Sequence, residues 1–202
     1  MTTCYVVRHA AKEHGDFYNP RLRHQDEPIS QQGQAAAQKL GSFFADKAIA
    51  AIYVSEYQRT GQTIEPVAQQ LQLTPLVDGR LNEIDNGRFD GMTEEQIQQT
   101  YPDVWQAFLS RAADFRFPEG ETGAEAQQRI VDFLQEKQRQ HPAENIILVS
   151  HEGWIRLLAC TILDLPVFKR WNFHYDFCGI TEITYEPDYA KWKLIRFNQT
   201  CL

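Results

Sequence analysis

Positive charge is in short supply in this 202-residue sequence: 20 Lys and Arg stand against 27 Asp and Glu, for a formal net charge of −7. A broad nucleic-acid footprint needs the opposite sign, so no nucleic-acid partner is expected. An anion can bind only where a few cations cluster locally. Cysteine is sparse as well. Cys4, Cys160, Cys178 and Cys201 form no CxxC pair, which argues against a zinc ribbon or a thioredoxin motif. Cys4 and Cys160 lie in apolar runs and read as small core residues. The glycines make neither a GxGxxG nor a Walker loop, so the usual nucleotide fingerprints are missing. No apolar run approaches the length that spans a bilayer. The opening MTTCYVVRHAAK lacks the basic region and long apolar stretch of a signal peptide. No membrane partner is expected, and a reducing, cytoplasmic location fits best. Internal repeats and low-complexity segments are also absent.

What is there belongs to an ordinary globular chain, 43% hydrophobic and 23% charged. Its length fits one domain, 1–202, carrying a large insertion. Residues 3 to 8 read as a buried strand. Residues 10 to 29, with Gly15, Pro20, Pro28 and many charges, read as a long loop of the functional kind. Ser30 caps a helix to about Lys47, with Ala36, Leu40, Phe43 and Phe44 on one face. AIAAIYVS (48–55) is a second strand, and a helix from about Tyr57 to Leu71 follows, with Arg59 in its first turn and Pro66 as a point of kinking. TPLV (74–77) is a short third strand. Residues 80–122 mix glycines and prolines with two short helical patterns, EEQIQQTY and DVWQAFLSRA, and read as a helical lid. A long amphipathic helix from about Ala124 to Gln138 turns Ile130, Phe133 and Leu134 inward. NIILV (145–149) is the fourth strand, followed by a helix from about Trp154 to Leu163. GITEITYE and KWKLIRFN, joined through Pro187-Asp188, form an antiparallel hairpin. Strands alternating with helices predict a three-layer α/β/α sandwich around a mostly parallel sheet.

Ligands in such sheets bind at the carboxyl ends of the strands. Three strands end in polar groups: YVVRHA delivers Arg8 and His9, YVSEYQR delivers Ser55 and then Arg59, and NIILVSHEG delivers Ser150 and His151. If these strands are neighbours, two arginines and two histidines meet in one pocket. Two guanidinium forks suit the several oxygens of a phosphoryl group. A neutral imidazole can attack phosphorus, and nearby arginines favour the neutral form. A second imidazole, as a cation, can hold the equatorial oxygens. A carboxylic acid is then needed to protonate the leaving oxygen. The 10–29 loop carries Lys12, His14, Arg21, Arg23 and His24. It is either a solvated polar loop or a second anion contact in which Lys12 and Arg21 reach the substrate. Trp171 and Phe173 read as core or as the interface of a homodimer.

In VVRHA (6–10), PISQQGQAAAQKLG (28–41), YVSEYQRTGQT (53–63), LNEIDNGRFDGMT (81–93), FPEGETGAEAQQRI (117–130), LVSHEGWIR (148–156) and the tail RFNQTCL, the chain resembles the histidine phosphatase superfamily, branch 1. This is the phosphoglycerate-mutase-like family, and the likeness is strongest to its small phosphatases. It covers nearly the whole chain, with Ala10 standing where the signature has glycine. The resemblance implies that His9 is the nucleophile that becomes phosphohistidine. Arg8, Arg59 and His151 would hold the phosphoryl oxygens. Glu83 would be the proton donor and then the base for water. It implies no metal and no organic cofactor. The function so implied is a metal-independent phosphomonoesterase acting on a small phosphorylated metabolite. The alternatives are a phosphoglycerate-type mutase and a non-catalytic phospho-ligand binder of the same fold.

Overall fold

A computed structural model describes residues 1–201. The chain begins with β1 (Thr3–Arg8), and a small hairpin of β2 (Tyr18–Asn19) and β3 (His24–Gln25) leads to α1 (Gln31–Phe44). Then come β4 (Ile49–Val54), α2 (Gln58–Leu71), β5 (Leu76–Val77), α3 (Glu94–Thr100), α4 (Pro102–Ser110) and α5 (Gly123–Gln140). β6 (Asn145–Ser150), α6 (Glu152–Ile162), β7 (Ile180–Glu186) and β8 (Lys191–Gln199) complete it. The main sheet has the order β5-β4-β6-β1-β7-β8. Its β5-β4-β6-β1 portion is parallel, and β7 and β8 are antiparallel. The hairpin, the parallel sheet and the flanking helices are those expected from the sequence.

Both faces of the central strands are buried. Cys4, Val6, Ile146 and Leu148 point to the side packed by α5 and α6. Tyr5, Val7, Ile52, Val54, Ile147 and Val149 point to the side packed by α1 and α2. Burial on two faces is why β1 and β6 read as continuous apolar runs instead of alternating ones. Ser30 caps α1, its Oγ accepting from the N–H of Gly33 at 3.1 Å. Thr122 and Glu125 form a reciprocal capping box at the start of α5. Pro66 lies inside α2, which nevertheless runs through it without a break.

The 80–122 stretch is not peripheral throughout. Leu81, Ile84 and Phe117 are buried members of the α5/α6-side core, so the lid is anchored at both of its ends. The loop between β1 and α1 is also less open than its composition suggests. Asn19 Oδ1 accepts from the N–H of Arg21 at 3.0 Å, and Arg23 N–H donates to Asn19 O at 2.8 Å, closing a turn between β2 and β3. At the sheet's edges, β5 is two residues long. β8 exposes Lys191, Lys193, Ile195 and Arg196, and its pairing with β7 shifts register twice.

Candidate active site

β4, β6 and β1 are consecutive in the sheet, so their carboxyl ends bring Ser55, His151, Arg8 and His9 together. Backbone bonds extend the ladder one residue past β1: His9 N–H donates to Ser150 O at 3.0 Å. Ala10 N–H donates to Thr63 Oγ1 at 2.8 Å, and Thr63 in turn donates to Arg59 O at 2.6 Å. The first turns of α2 therefore fix the residue after His9 and the arginine opposite it. Ala10 is buried and stays out of the left-handed region, so alanine is accepted there without backbone strain.

His9 Nδ1 lies 2.8 Å from the carbonyl oxygen of Ala10. A carbonyl only accepts, so Nδ1 carries the proton and, in the neutral ring, Nε2 keeps a free lone pair. Burial, and then the Arg59 guanidinium, push the His9 pKa well below the ordinary imidazole value. His151 is fully buried, 5.2 Å from His9 between ring centroids. Arg59 Nη2 donates to its Nδ1 at 3.1 Å, so Nε2 carries the proton and donates to Ser55 Oγ at 2.9 Å. Burial and Arg59 lower its pKa well below the ordinary value too. The second imidazole is thus neutral in this structure, whereas the sequence pattern predicts a cationic form for holding the oxygens of the transition state. The reason is the pairing of full desolvation with an adjacent guanidinium.

Arg8 spreads its fork between the Tyr175 carbonyl and Glu152 Oε2, the latter at 2.9 Å, and lies 4.1 Å over the Phe177 ring. Arg59 stacks 4.2 Å from the Tyr57 ring, with Glu27 and Asp26 3.7 and 3.9 Å from its Nη1. Arg8 Nε and Arg59 Nε and Nη1 are buried without a hydrogen-bond partner. Orphaned guanidinium donors around a cavity of about 230 Å³ that also exposes His9 fit an oxyanion with several acceptors. Glu83 enters this cavity from the anchored lid. Its Oε1 accepts from the N–H groups of Ile84 and Trp154 at 2.9 and 3.1 Å, and its Oε2 from Gly153 at 3.2 Å. It therefore sits on the first turn of α6, next in sequence to His151.

Arg8, His9, Arg59 and Glu83 all face the same cavity, with His151 directly beneath. Lys12 also lines it, tied to Glu27 at 2.6 Å. Arg21 does not join them. The β2–β3 turn carries it outward, where 82% of its side chain is exposed and its one ion pair is with Glu56 at 3.5 Å. Sequence reasoning missed Glu152, which bridges Arg8 and Arg156 at 2.9 and 2.5 Å. Its position beside His151 was the signal available. It also missed Phe177, whose ring covers both Arg8 and His9 and which nothing local in the sequence marks.

Strand-end imidazoles and guanidinia, with a carboxylate poised on a helix N-terminus, define a phosphoryl-transfer enzyme of the α/β class. The chain belongs to the histidine phosphatase superfamily (branch 1), whose sequence profile matches residues 4–200. It is 28% identical to Phosphoserine phosphatase 1 of Hydrogenobacter thermophilus over all of this chain and 94% of that one. It is also 28% identical to a Shigella dysenteriae protein named Probable phosphoglycerate mutase GpmB, across 92% of this chain and 86% of that one. Among solved structures, Bacillus stearothermophilus YhfR superposes with a TM-score of 0.81 at 26% identity, covering 96% of each chain.

Proposed function

We propose that this phosphoric monoester hydrolase works by covalent catalysis through His9 on a small phosphorylated metabolite. The observation that carries the reading is the neutral His9 ring. Its proton is tied to Ala10 O and its Nε2 lone pair is left free, beside the unpartnered donors of Arg8 and Arg59. Nε2 attacks phosphorus, and the P–N bond forms as the P–O bond to the alcohol breaks. The carboxyl proton of Glu83 goes to the departing oxygen. Water then attacks the phosphohistidine and gives its proton to the Glu83 carboxylate. Inorganic phosphate leaves and both residues return to their starting forms. Arg8 and Arg59 hold the phosphoryl oxygens throughout. The negative charge of a bound dianion works against burial and Arg59 at His151 and favours its imidazolium form. Lys12 adds a further positive charge at the cavity wall.

Phosphoserine enters as a candidate substrate through the name of the Hydrogenobacter relative. A mutase, returning the phosphoryl group to bound product, enters through the name of the Shigella relative. The ratio of isomerised product to free phosphate separates the two. No helix among the described residues is long and apolar enough to cross a membrane, and all four cysteines are free thiols, which supports a reducing compartment. The decisive test is phosphate release from phenyl phosphate in EDTA, together with an alkaline quench that traps a base-stable, acid-labile phosphoenzyme. The wild type should show turnover and a labelled enzyme, and His9→Ala neither. Undiminished turnover by His9→Ala would refute the assignment.

A further inference from the structure

A second cavity, of about 350 Å³, opens on the other side of Glu83. Glu83, Ile84, Asn86 and Glu152 line both this cavity and the phosphate cavity, so the two adjoin at Glu83. Its walls are largely apolar rings and chains: Phe89, Ile97, Trp105, Phe108, Phe117 and Trp171. They form a connected aromatic set. Trp105 stacks on Phe108 with centroids 5.4 Å apart and planes at 14°, and Phe108 meets Trp171 edge-on at 5.4 Å. Phe89 meets Phe117 edge-on, also at 5.4 Å. A cavity of about 150 Å³ already holds one benzene ring, so this one has room for a ring and a short chain.

Its charges decide what else it accepts. Glu83, Glu94 and Glu152 stand on its rim. Of its two arginines, Arg156 is held by Glu152 at 2.5 Å and by the Phe173 carbonyl at 2.8 Å. Arg170 packs against the rings of Phe115 and Trp171, at 5.7 and 4.9 Å, with Asp114 at 3.5 Å. Its Nε and Nη2 are buried without a hydrogen-bond partner. The carboxylate of a small phosphorylated acid would therefore meet three carboxylates in this cavity, with Arg156 already committed and Arg170 packed against the rings.

We propose that this aromatic cavity is the leaving-group subsite and takes an apolar, ring-bearing alcohol. The preferred substrates are then monophosphates of such alcohols, not of small carboxylated ones such as serine or glycerate. This rests on the hydrolase reading above. The group that departs from phosphorus passes Glu83, which protonates it, and comes to rest against the rings, where its apolar surface is removed from water.

The test compares esters whose leaving oxygens are all primary alkyl: propyl phosphate, 3-phenylpropyl phosphate and phosphoserine. From the area a phenyl group buries, kcat/KM for the phenylpropyl ester should exceed the other two by about thirtyfold or more. Phe108→Ala should remove most of that advantage. Equal rates for all three, or a preference for phosphoserine, with phosphohistidine still trapped, would overturn the subsite and leave the hydrolase standing. Binding is measured separately with 3-phenylpropylphosphonate and propylphosphonate, by calorimetry on wild type and on His9→Ala. Tighter binding of the phenyl compound in both supports the subsite independently of turnover. Equal binding overturns it. Absence of turnover and of phosphoenzyme with every ester overturns the hydrolase reading instead.

Discussion

Replacing Gly153 by alanine would place a Cβ 2.6 Å from Glu83 Oε1 and 3.0 Å from Ile84 Cδ1. That is short of an ordinary van der Waals contact by roughly 0.5–1 Å. The new methyl belongs to the helix backbone of α6 and cannot move, so the carboxylate must retreat by a similar distance. Its bonds from the N–H groups of Gly153 and Trp154, now 3.2 and 3.1 Å, would lengthen or break. A misplacement of about 1 Å at a reacting group costs up to about a hundredfold in rate. The expected loss in kcat for an alkyl phosphate is therefore about 10- to 100-fold. For p-nitrophenyl phosphate, whose leaving group departs without a proton, kcat/KM, which does not include the later water step, should fall about threefold at most. Stability should fall by about 1–3 kcal/mol, because the overlap and the lost bonds at the start of α6 outweigh alanine's better helix propensity. Steady-state kinetics on both esters, with a thermal melt of the same preparation, reads all three quantities. An alkyl-phosphate kcat within about twofold of wild type would refute the placement of Glu83 as acid. So would equal losses of kcat/KM on both esters.

The pH dependence of stability follows from His9 and His151, whose pKa values lie well below the ordinary imidazole range through burial and Arg59. Above pH ~6.5 both states are neutral at these rings and they contribute nothing. Below it the unfolded chain takes up protons that the native site refuses, so stability falls with falling pH, by up to ~3 kcal/mol per unit for the two together. Urea melts at pH 7 and pH 5.5 should show the fall, and His151→Asn should flatten it; an unchanged slope would contradict the burial argument. Arg59→Ala should lower kcat/KM about a hundredfold or more, since it removes the orphaned donors and the partner of His151 at once. Arg21→Ala, at the exposed β2–β3 turn, should stay within about twofold in the same assay. A large effect there would show that the 10–29 loop folds over the substrate.

The sheet was legible because its central strands are buried on both faces. That requirement writes continuous apolar runs into residues 3–8 and 145–149, with the polar groups pushed to their ends. Arg8, His9, Arg59 and His151 could be named for the same reason. Charge and pairing could not. His151 is neutral because it is fully buried and lies beside Arg59, which comes from the helix after another strand. The partners of Arg8 arrive from 144 and 167 residues further along. Arg21 looked like an anion contact because of its place in a basic loop, but the Asn19 turn that sends it outward is a matter of backbone path. The 80–122 stretch read as lid because of its Gly and Pro content. Its anchoring residues, Leu81, Ile84 and Phe117, are isolated apolar positions without periodicity, and only the folded chain shows that they reach the core.

The edges of the sheet bear on self-association. An open sheet can recruit another molecule by pairing strand to strand, the route to both dimers and aggregates. Here one flank, β5, offers only Leu76 and Val77. The other, β8, shows Lys191, Lys193 and Arg196 to solvent and is bent by two register shifts. A second copy laid against β8 would set like charges opposite each other along an uneven ladder. Strand addition is disfavoured at both flanks, by the shortness of β5 and by the charge and irregular pairing of β8.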